Sequence, residues 1–245
     1  MKINLTKTEY KNIYVPNDDS YLFLDALKEE IQYFPQNAVV VEMGCGSGIL
    51  IGNVSKLLQE QNNRALMCIG IDINYDACIA SSRITQENQI YFDCINSDGF
   101  EGLALDKSGI DIFIFNPPYV PTEDEEVERC KKYFYEKQKL FAQAYANNMR
   151  GQELVEEVSK VNLIDCSYSG GKDGMLITWK ILEKAIKFMN PNGIIYLFVI
   201  QENPINEIVS FFKAKGYEGF ILKKQQKYNE IQFILKFVCN SVNKQ

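Results

Sequence analysis

Three valines, Val39-Val40-Val41, run straight into Glu42-Met43-Gly44-Cys45-Gly46-Ser47-Gly48, and the residues from Ile49 to Gln61 then place Ile51, Val54, Leu57 and Leu58 at helical spacing. A buried strand, a glycine loop and an amphipathic helix in direct succession leave few architectures open. Glycines at 44, 46 and 48 permit a tight bend and let a ligand approach backbone where a Cβ would collide, and the helix that follows presents free N–H groups to an anion.

The same unit recurs along the chain. Leu66 to Ile71 reads as a second strand ending at Asp72, Ile90 to Ile95 as a third ending near Asp98, and Ile110 to Phe115 as a fourth running into Asn116-Pro117-Pro118-Tyr119. A helix from about Met175 to Met189, a turn at Asn190-Pro191-Asn192-Gly193, the strand Ile194 to Ile200 and a helix from Pro204 to Lys215 follow. Phe220-Ile221-Leu222, a polar turn at 227–230 and Ile231 to Val238 predict a terminal hairpin. Strands alternating with helices predict one α/β domain, with a mostly parallel sheet covered on both faces, over residues 1–245. In such sheets ligands bind beyond the carboxyl ends of the strands, where Gly44 to Gly48, Asp72, Asp98 and Asn116 all fall.

Composition removes whole classes of chemistry. The chain contains no histidine, which excludes mechanisms built on an imidazole base. Its net charge of −6 is the wrong sign for gripping a phosphate backbone, so no direct nucleic-acid partner is expected. Seven cysteines, odd in number and never spaced C-x-x-C, encode neither a disulfide framework nor a zinc knuckle, and reduced core thiols are expected. No metal site is predicted. No apolar run reaches the roughly twenty residues of a membrane span, and the amino-terminal residues lack a secretory pattern, so a soluble, cytoplasmic protein is expected.

The glycine loop is ambiguous between a carboxylate and a phosphate until its spacing is considered. A dinucleotide loop reads G-x-G-x-x-G, whereas here the third glycine comes one residue early, position 49 is Ile and Glu42 precedes the first glycine. This E-x-G-x-G-x-G form resembles the loop of class I methyltransferases. Asp72 is placed to accept from two ribose hydroxyls and Asp98 from an adenine amino group, although either carboxylate would also serve as a helix cap.

Asn116-Pro117-Pro118-Tyr119 carries the sharpest chemical signal. The Asn116 side-chain carbonyl and the Pro117 backbone carbonyl offer two acceptors, which together hold both hydrogens of one NH₂ group and turn its lone pair toward a methyl carbon on a sulfonium. An amide nitrogen is a poor nucleophile, but once methylated it is cationic and sheds a proton readily, so no base tuned near neutrality is needed. Pro117 and Pro118 stiffen the loop, and Tyr119 supplies a flat face for a planar acceptor. Read without the upstream loop, the same four residues would be a simple strand-ending turn.

With these residues assembled, the chain resembles the HemK-type protein glutamine methyltransferases, in the short eukaryotic and archaeal branch that acts on translation termination factors. The segment Tyr14-Val15-Pro16-Asn17-Asp18-Asp19-Ser20 is similar to that branch's Y-x-P-x-[DE]-D-[ST] opening, and Ser169-Gly170-Gly171-Lys172-Asp173-Gly174 resembles its later glycine-rich loop. The resemblance implies a Rossmann-like fold with a seven-stranded sheet and S-adenosylmethionine as methyl donor. It implies that Tyr14, Pro16 and Ser20 line the cofactor pocket, Glu42 and Gly44 hold the methionine part, Asp72 the ribose, and Asp98 with Gly99 the adenine. The acceptor implied is the glutamine of a Gly-Gly-Gln motif in a release factor, its amide held by Asn116 and Pro117.

Two departures follow from the comparison with that family. About forty residues precede Glu42, too few for the separate substrate-gripping helical domain of bacterial relatives. The family's short branch pairs instead with a small zinc-binding activator subunit, for which the apolar run 90–95, expected at a sheet edge, offers a docking strand unless the chain's own loops cover it. The long connection 121–163 exceeds the family's. It opens acidic, places Val127, Cys130, Phe134, Phe141 and Tyr145 on one helical side, breaks at 147–151 and resumes as a short amphipathic piece, Gln152 to Val161. It reads either as a helical insertion packed over the site or as a solvated insert. Two rival functions stay open: methylation of exocyclic amino groups of adenine or guanine, which present the same flat NH₂, and a non-catalytic scaffold retaining the fold.

Overall fold

A computed structural model describes residues 1–61, 67–101, 103, 109–146 and 164–239. The strands are β1 (Val39–Met43), β2 (Met67–Asp72), β3 (Asp93–Asn96), β4 (Ile110–Phe115), β5 (Met189–Ile200), β6 (Tyr217–Lys227) and β7 (Glu230–Cys239). They form one seven-stranded sheet in the order β3-β2-β1-β4-β5-β7-β6. β1 to β5 pair in parallel, and the β6–β7 hairpin joins β5 antiparallel through β7. The predicted α/β architecture and its terminal hairpin are both present.

The helices are α1 (Glu9–Asn12), α2 (Asp18–Glu30), α3 (Ile49–Glu60), α4 (Tyr75–Asn88), α5 (Asp124–Ala146), α6 (Leu176–Phe188) and α7 (Ile205–Ala214). Near-continuous apolar strands follow from their covering on both faces, because alternate side chains enter different cores. Ile112 and Ile114 of β4 join a core with α2 and α3, whereas Phe113 and Phe115 join one with α6 and α7. β5 repeats the division, with Tyr196 and Phe198 on the first side and Ile195 and Leu197 on the second. Each such side chain contributes about 1.5–3 kcal/mol by leaving water, so a one-residue slip of either strand would exchange the two cores.

Three expectations need correction. The third strand begins at Asp93 rather than Ile90. Ile90 is buried, Tyr91 is 78% exposed, and Phe92 packs against α3, so close that a Cβ on Gly48 would lie 2.8 Å from its ring. Ile90 and Phe92 are spent on packing before pairing starts, while β3 itself does lie at the sheet edge. Residues 190–193 form no separate turn but belong to β5, where the register with β4 shifts between Ile110 and Ile112 and Asn190 Nδ2 donates to Asp111. Finally, Cys130 and Cys166 are joined as a disulfide, and the free thiols are Cys45, Cys68, Cys78, Cys94 and Cys239. Sequence spacing hid the pair because the fold brings the two together across 36 residues.

The acidic opening at 123–128 leads into α5, of which Val127, Cys130 and Phe134 form the buried side. The Phe141 and Tyr145 side chains, the break at 147–151 and the piece 152–161 lie outside the described residues. Among the described residues no helix is long and apolar enough to cross a membrane, and no three metal-binding side chains converge.

Candidate active site

Strand order reverses between β1 and β4, and the carboxyl ends of these two strands flank the crevice that such a reversal opens. A cavity of about 340 Å³ lies there. Of the residues singled out in the sequence, Tyr14, Pro16, Ser20, Glu42, Gly44, Gly46, Asp72, Asp98, Gly99, Asn116, Pro117, Pro118 and Tyr119 line it. Gly48 does not. It starts α3 in the left-handed region at φ 74°, and its bare Cα makes room for Phe92 and Ser81.

The loop after β1 is fixed by its neighbours. Gly44 and Gly46 take φ of 67° and 52°, conformations that glycine adopts at little cost. The Gly44 amide donates to the Ile71 carbonyl at 2.7 Å, and the Gly46 amide to Asp72 Oδ2 at 2.8 Å. Asp72 Oδ1 accepts from the Asn74 amide at 2.8 Å. Burial pushes the Asp72 carboxyl up to about 6, against the pull of these two amides. Glu42 is also buried, and its Oε2 accepts from the Ile51 amide in the first turn of α3. Desolvation drives its carboxyl well above the ordinary range. Each acid therefore has a structural task, and each also lines the cavity.

The loop after β4 is held from three sides. Asn203 of the β5–α7 connection, which the sequence reading missed, donates its Nδ2 to the carbonyls of Tyr119 and Asp173, both at 3.0 Å. Gly174, with φ 67°, sits so close to Tyr119 that any Cβ would strike its carbonyl. The Gly170 amide donates to the Val120 carbonyl at 2.9 Å, so the glycine-rich segment 169–174 clamps the tail of the Pro-Pro turn. Tyr119 rests on Phe198, with ring centroids 4.7 Å apart. Asn116 is the exception to this satisfaction: its Nδ2 donates to Asp19 Oδ2 at 2.8 Å, whereas its buried Oδ1 has no partner among the described residues.

The roof of the cavity comes from α5, through Val127, Cys130, Lys131 and Phe134, and from Cys166, Ser167 and Tyr168. The disulfide joins these two pieces, Tyr135 donates to Asp98 Oδ2 at 2.6 Å, and the buried Lys137 ammonium meets Asp76 Oδ2 at 2.6 Å. Ile177, Lys180, Ile181 and Lys184 of α6 complete the wall near Asp98 and Gly99. The helical period of 124–134 signalled a buried face on α5, but nothing local signalled what it would cover.

A partly open, mostly apolar cavity of this size with a few converging polar groups suits a small cofactor and part of an acceptor. The sequence matches the family "Methyltransferase small domain" over residues 17–144. It is similar to "Methyltransferase HEMK2" of Mus musculus, 26% identical over 93% of this chain and 90% of that protein. It is similar to the "eRF1 methyltransferase catalytic subunit mtq2" of Schizosaccharomyces pombe, 26% identical over 85% of this chain and 81% of that one. Among solved structures, the Mtq2-Trm112 complex of E. cuniculi, described as responsible for methylation of the eRF1 translation termination factor, superposes with a TM-score of 0.59 at 20% identity, over 93% of this chain and 99% of that chain. The family match spans more than half the chain and takes in the glycine loop, the acids at the strand ends and the Asn-Pro-Pro-Tyr turn, and the chain belongs to the methyltransferase small-domain family.

Proposed function

We propose that this protein transfers a methyl group from S-adenosylmethionine to the side-chain amide nitrogen of a glutamine, that of the Gly-Gly-Gln motif in a class I translation release factor. The observation that carries the reading is the Asn116 Oδ1: among the described residues it shares the state of a buried side-chain atom without a partner only with Ser47, Thr178 and Gln232, and it alone is a carbonyl oxygen lining the cavity, placed to receive a hydrogen from something that binds there. An NH₂ group is the complementary chemistry.

Glu42 and Gly44 take the amino-acid end of the cofactor, Asp72 the ribose hydroxyls, and Asp98 with Gly99 the adenine, with Tyr14, Pro16, Ser20 and Gly46 completing the pocket. When bound, the cofactor supplies an electrophilic methyl carbon on a sulfonium. Asn116 Oδ1 and the Pro117 carbonyl each accept one N–H of the glutamine amide, which aims the nitrogen lone pair at that carbon. Transfer would exchange the C–S bond for an N–C bond, leaving the electron pair on sulfur, and the methylated amide held by Asn116 and Pro117 would shed its extra proton to water. Pro117 and Pro118 keep the carbonyls still, and Tyr119, seated on Phe198, presents its other side to the planar amide.

The protein works with a small zinc-binding activator subunit docked on edge strand β3, which has no outer neighbour among the described residues and is preceded by the exposed Tyr91. The stretch 121–163 acts as an insertion over the acceptor entrance, and its first helix already lines the cavity. The test is methylation of release factor, tRNA, rRNA and DNA side by side, with and without the subunit, followed by mass spectrometry. Label on the release-factor glutamine is expected; label on nucleic acid alone would overturn the acceptor.

A further inference from the structure

Asp19 belongs to none of the roles assigned above, yet it is among the most completely buried polar residues, 2% exposed. It stands in the first turn of α2, where an acidic side chain ordinarily faces water and favours the helix dipole. Here it turns inward instead. Its Oδ2 accepts from Asn116 Nδ2 at 2.8 Å, a contact across 97 residues, and its Oδ1 accepts from the Tyr14 hydroxyl at 2.8 Å and from Ser20 Oγ at 3.3 Å.

An asparagine amide has two faces of opposite character related by a half-turn about one bond, and their near-equal shapes give packing little hold on the choice. A carboxylate only accepts, so it can bond the NH₂ side of Asn116 and not the oxygen side. Were the amide reversed, two oxygens would meet at hydrogen-bond distance, and an NH₂ group would face the acceptor's own NH₂.

We infer that Asp19 is a positioning residue that locks the Asn116 amide in the one orientation that aims its oxygen at the acceptor nitrogen. The inference rests on the proposed role of Asn116, but it adds a polarity requirement: position 19 must accept wherever position 116 donates. The Tyr14 hydroxyl is part of the lock, because it occupies Oδ1 and leaves Oδ2 to Asn116.

The polarity can be transposed. In Asn116→Asp two carboxylates face each other, and transfer should fall by about 10²-fold or more, on the scale of a misplaced catalytic contact. Acidification should restore part of that loss, since one shared proton lets residue 116 donate to Asp19 again and present its carbonyl. The other titratable groups facing this pair are the phenols of Tyr14 and Tyr119, both pushed above their ordinary range by burial and so neutral across the titration. Adding Asp19→Asn supplies a donor opposite the new carboxylate at position 116. The double variant should return to within about tenfold of wild type, with the acid dependence gone.

Each variant is assayed with its partner subunit for kcat, KM and cofactor affinity on the acceptor that the wild type labels. Wild-type failure on glutamine with success on another amino group would dispose of the proposed acceptor alone, and the transposition series then runs on that group. A double variant no more active than Asn116→Asp, together with a flat pH profile for the single variant, would overturn the role of Asp19. Rescue that appears in kcat, with cofactor affinity unchanged throughout, is the expected result and is not what a merely structural carboxylate would produce.

Discussion

Beneath the cavity, the main chain itself is held, by other backbone groups and by the Asp72 and Asn203 side chains. Gly44 and Gly46 bond to β2, the Tyr119 carbonyl is tied to Asn203, and the positive φ of Gly44, Gly46 and Gly174 fixes where the chain may run. Above the cavity, α5 is held by side chains: Lys137 to Asp76, Tyr135 to Asp98, and the Cys130–Cys166 link. Main-chain bonds at strand ends leave little room for displacement, whereas side-chain links to one helix allow it to shift without unfolding the sheet. Floor and roof should therefore fail differently: damage to the floor should appear in kcat, and damage to the roof in binding and local stability.

The largest expected effect is Asn116→Ala, which removes the orphaned acceptor and should lower kcat by about 10²–10³-fold, the usual cost of one preorganised hydrogen-bonding group. Calorimetric cofactor binding should stay within error of wild type; lost cofactor binding would instead make Asn116 part of the cofactor site. Gly174→Ala tests the floor without touching the acceptor. Its Cβ would run into the Tyr119 carbonyl at a left-handed φ, so a loss of about 1–3 kcal/mol in denaturant unfolding is expected, along with reduced transfer.

The pH dependence of cofactor binding sharpens the floor's electrostatics. Asp72 is raised to about 6, so the ionised form, to which the proposal assigns the ribose hydroxyls, is lost as pH falls through that value. Affinity should then fall about tenfold per pH unit, and Asp72→Asn should show a weaker affinity without that slope. For the fold itself the sign is the reverse: an acid whose folded pKa is raised destabilises the structure as pH climbs from the unfolded value through 6, and protonation relieves it.

The roof should respond more gently. Lys137→Met leaves Asp76 with its Asn12 hydrogen bond, so a loss of about 1–3 kcal/mol is expected, read as faster hydrogen exchange along α5 with kcat nearly unchanged. Tyr135→Phe deletes one bond to a half-exposed tyrosine, about 0.5–1.5 kcal/mol, and should weaken cofactor binding only a few-fold. If either roof substitution lowered kcat as far as Asn116→Ala does, the division between the two walls would fail.

Much of this division was legible in the residues before folding was considered. Glycine spacing, acids ending successive strands and the Pro-Pro turn are local features, each read from a few consecutive residues; together with Tyr14, Pro16, Ser20 and Gly99, which only the family resemblance supplied, they account for the thirteen of fourteen chosen residues that line one cavity. Gly48 falls outside the lining, and sequence could not foresee this because a glycine that accommodates a neighbour's ring looks the same as one that accommodates a ligand. Asn203 and Lys137 were missed, and Asp19 was noted only within the Y-x-P-x-[DE]-D-[ST] opening without a role, because their importance depends on partners 84, 61 and 97 residues away.

While the helices Asp18–Glu30 and Tyr75–Asn88 went unread, the sequence by itself determined the succession of strands along the chain, the two-sided burial of the sheet and the chemical kind of group at each strand end. Those follow from periodicity, backbone conformation and side-chain valence, all of which act over short stretches of chain. Only the tertiary structure decided that Phe92 would fill the space above Gly48, that Cys130 would find Cys166, and that Asp19 would face Asn116. Such pairings depend on which distant surfaces meet when the layers close, and no local preference records that.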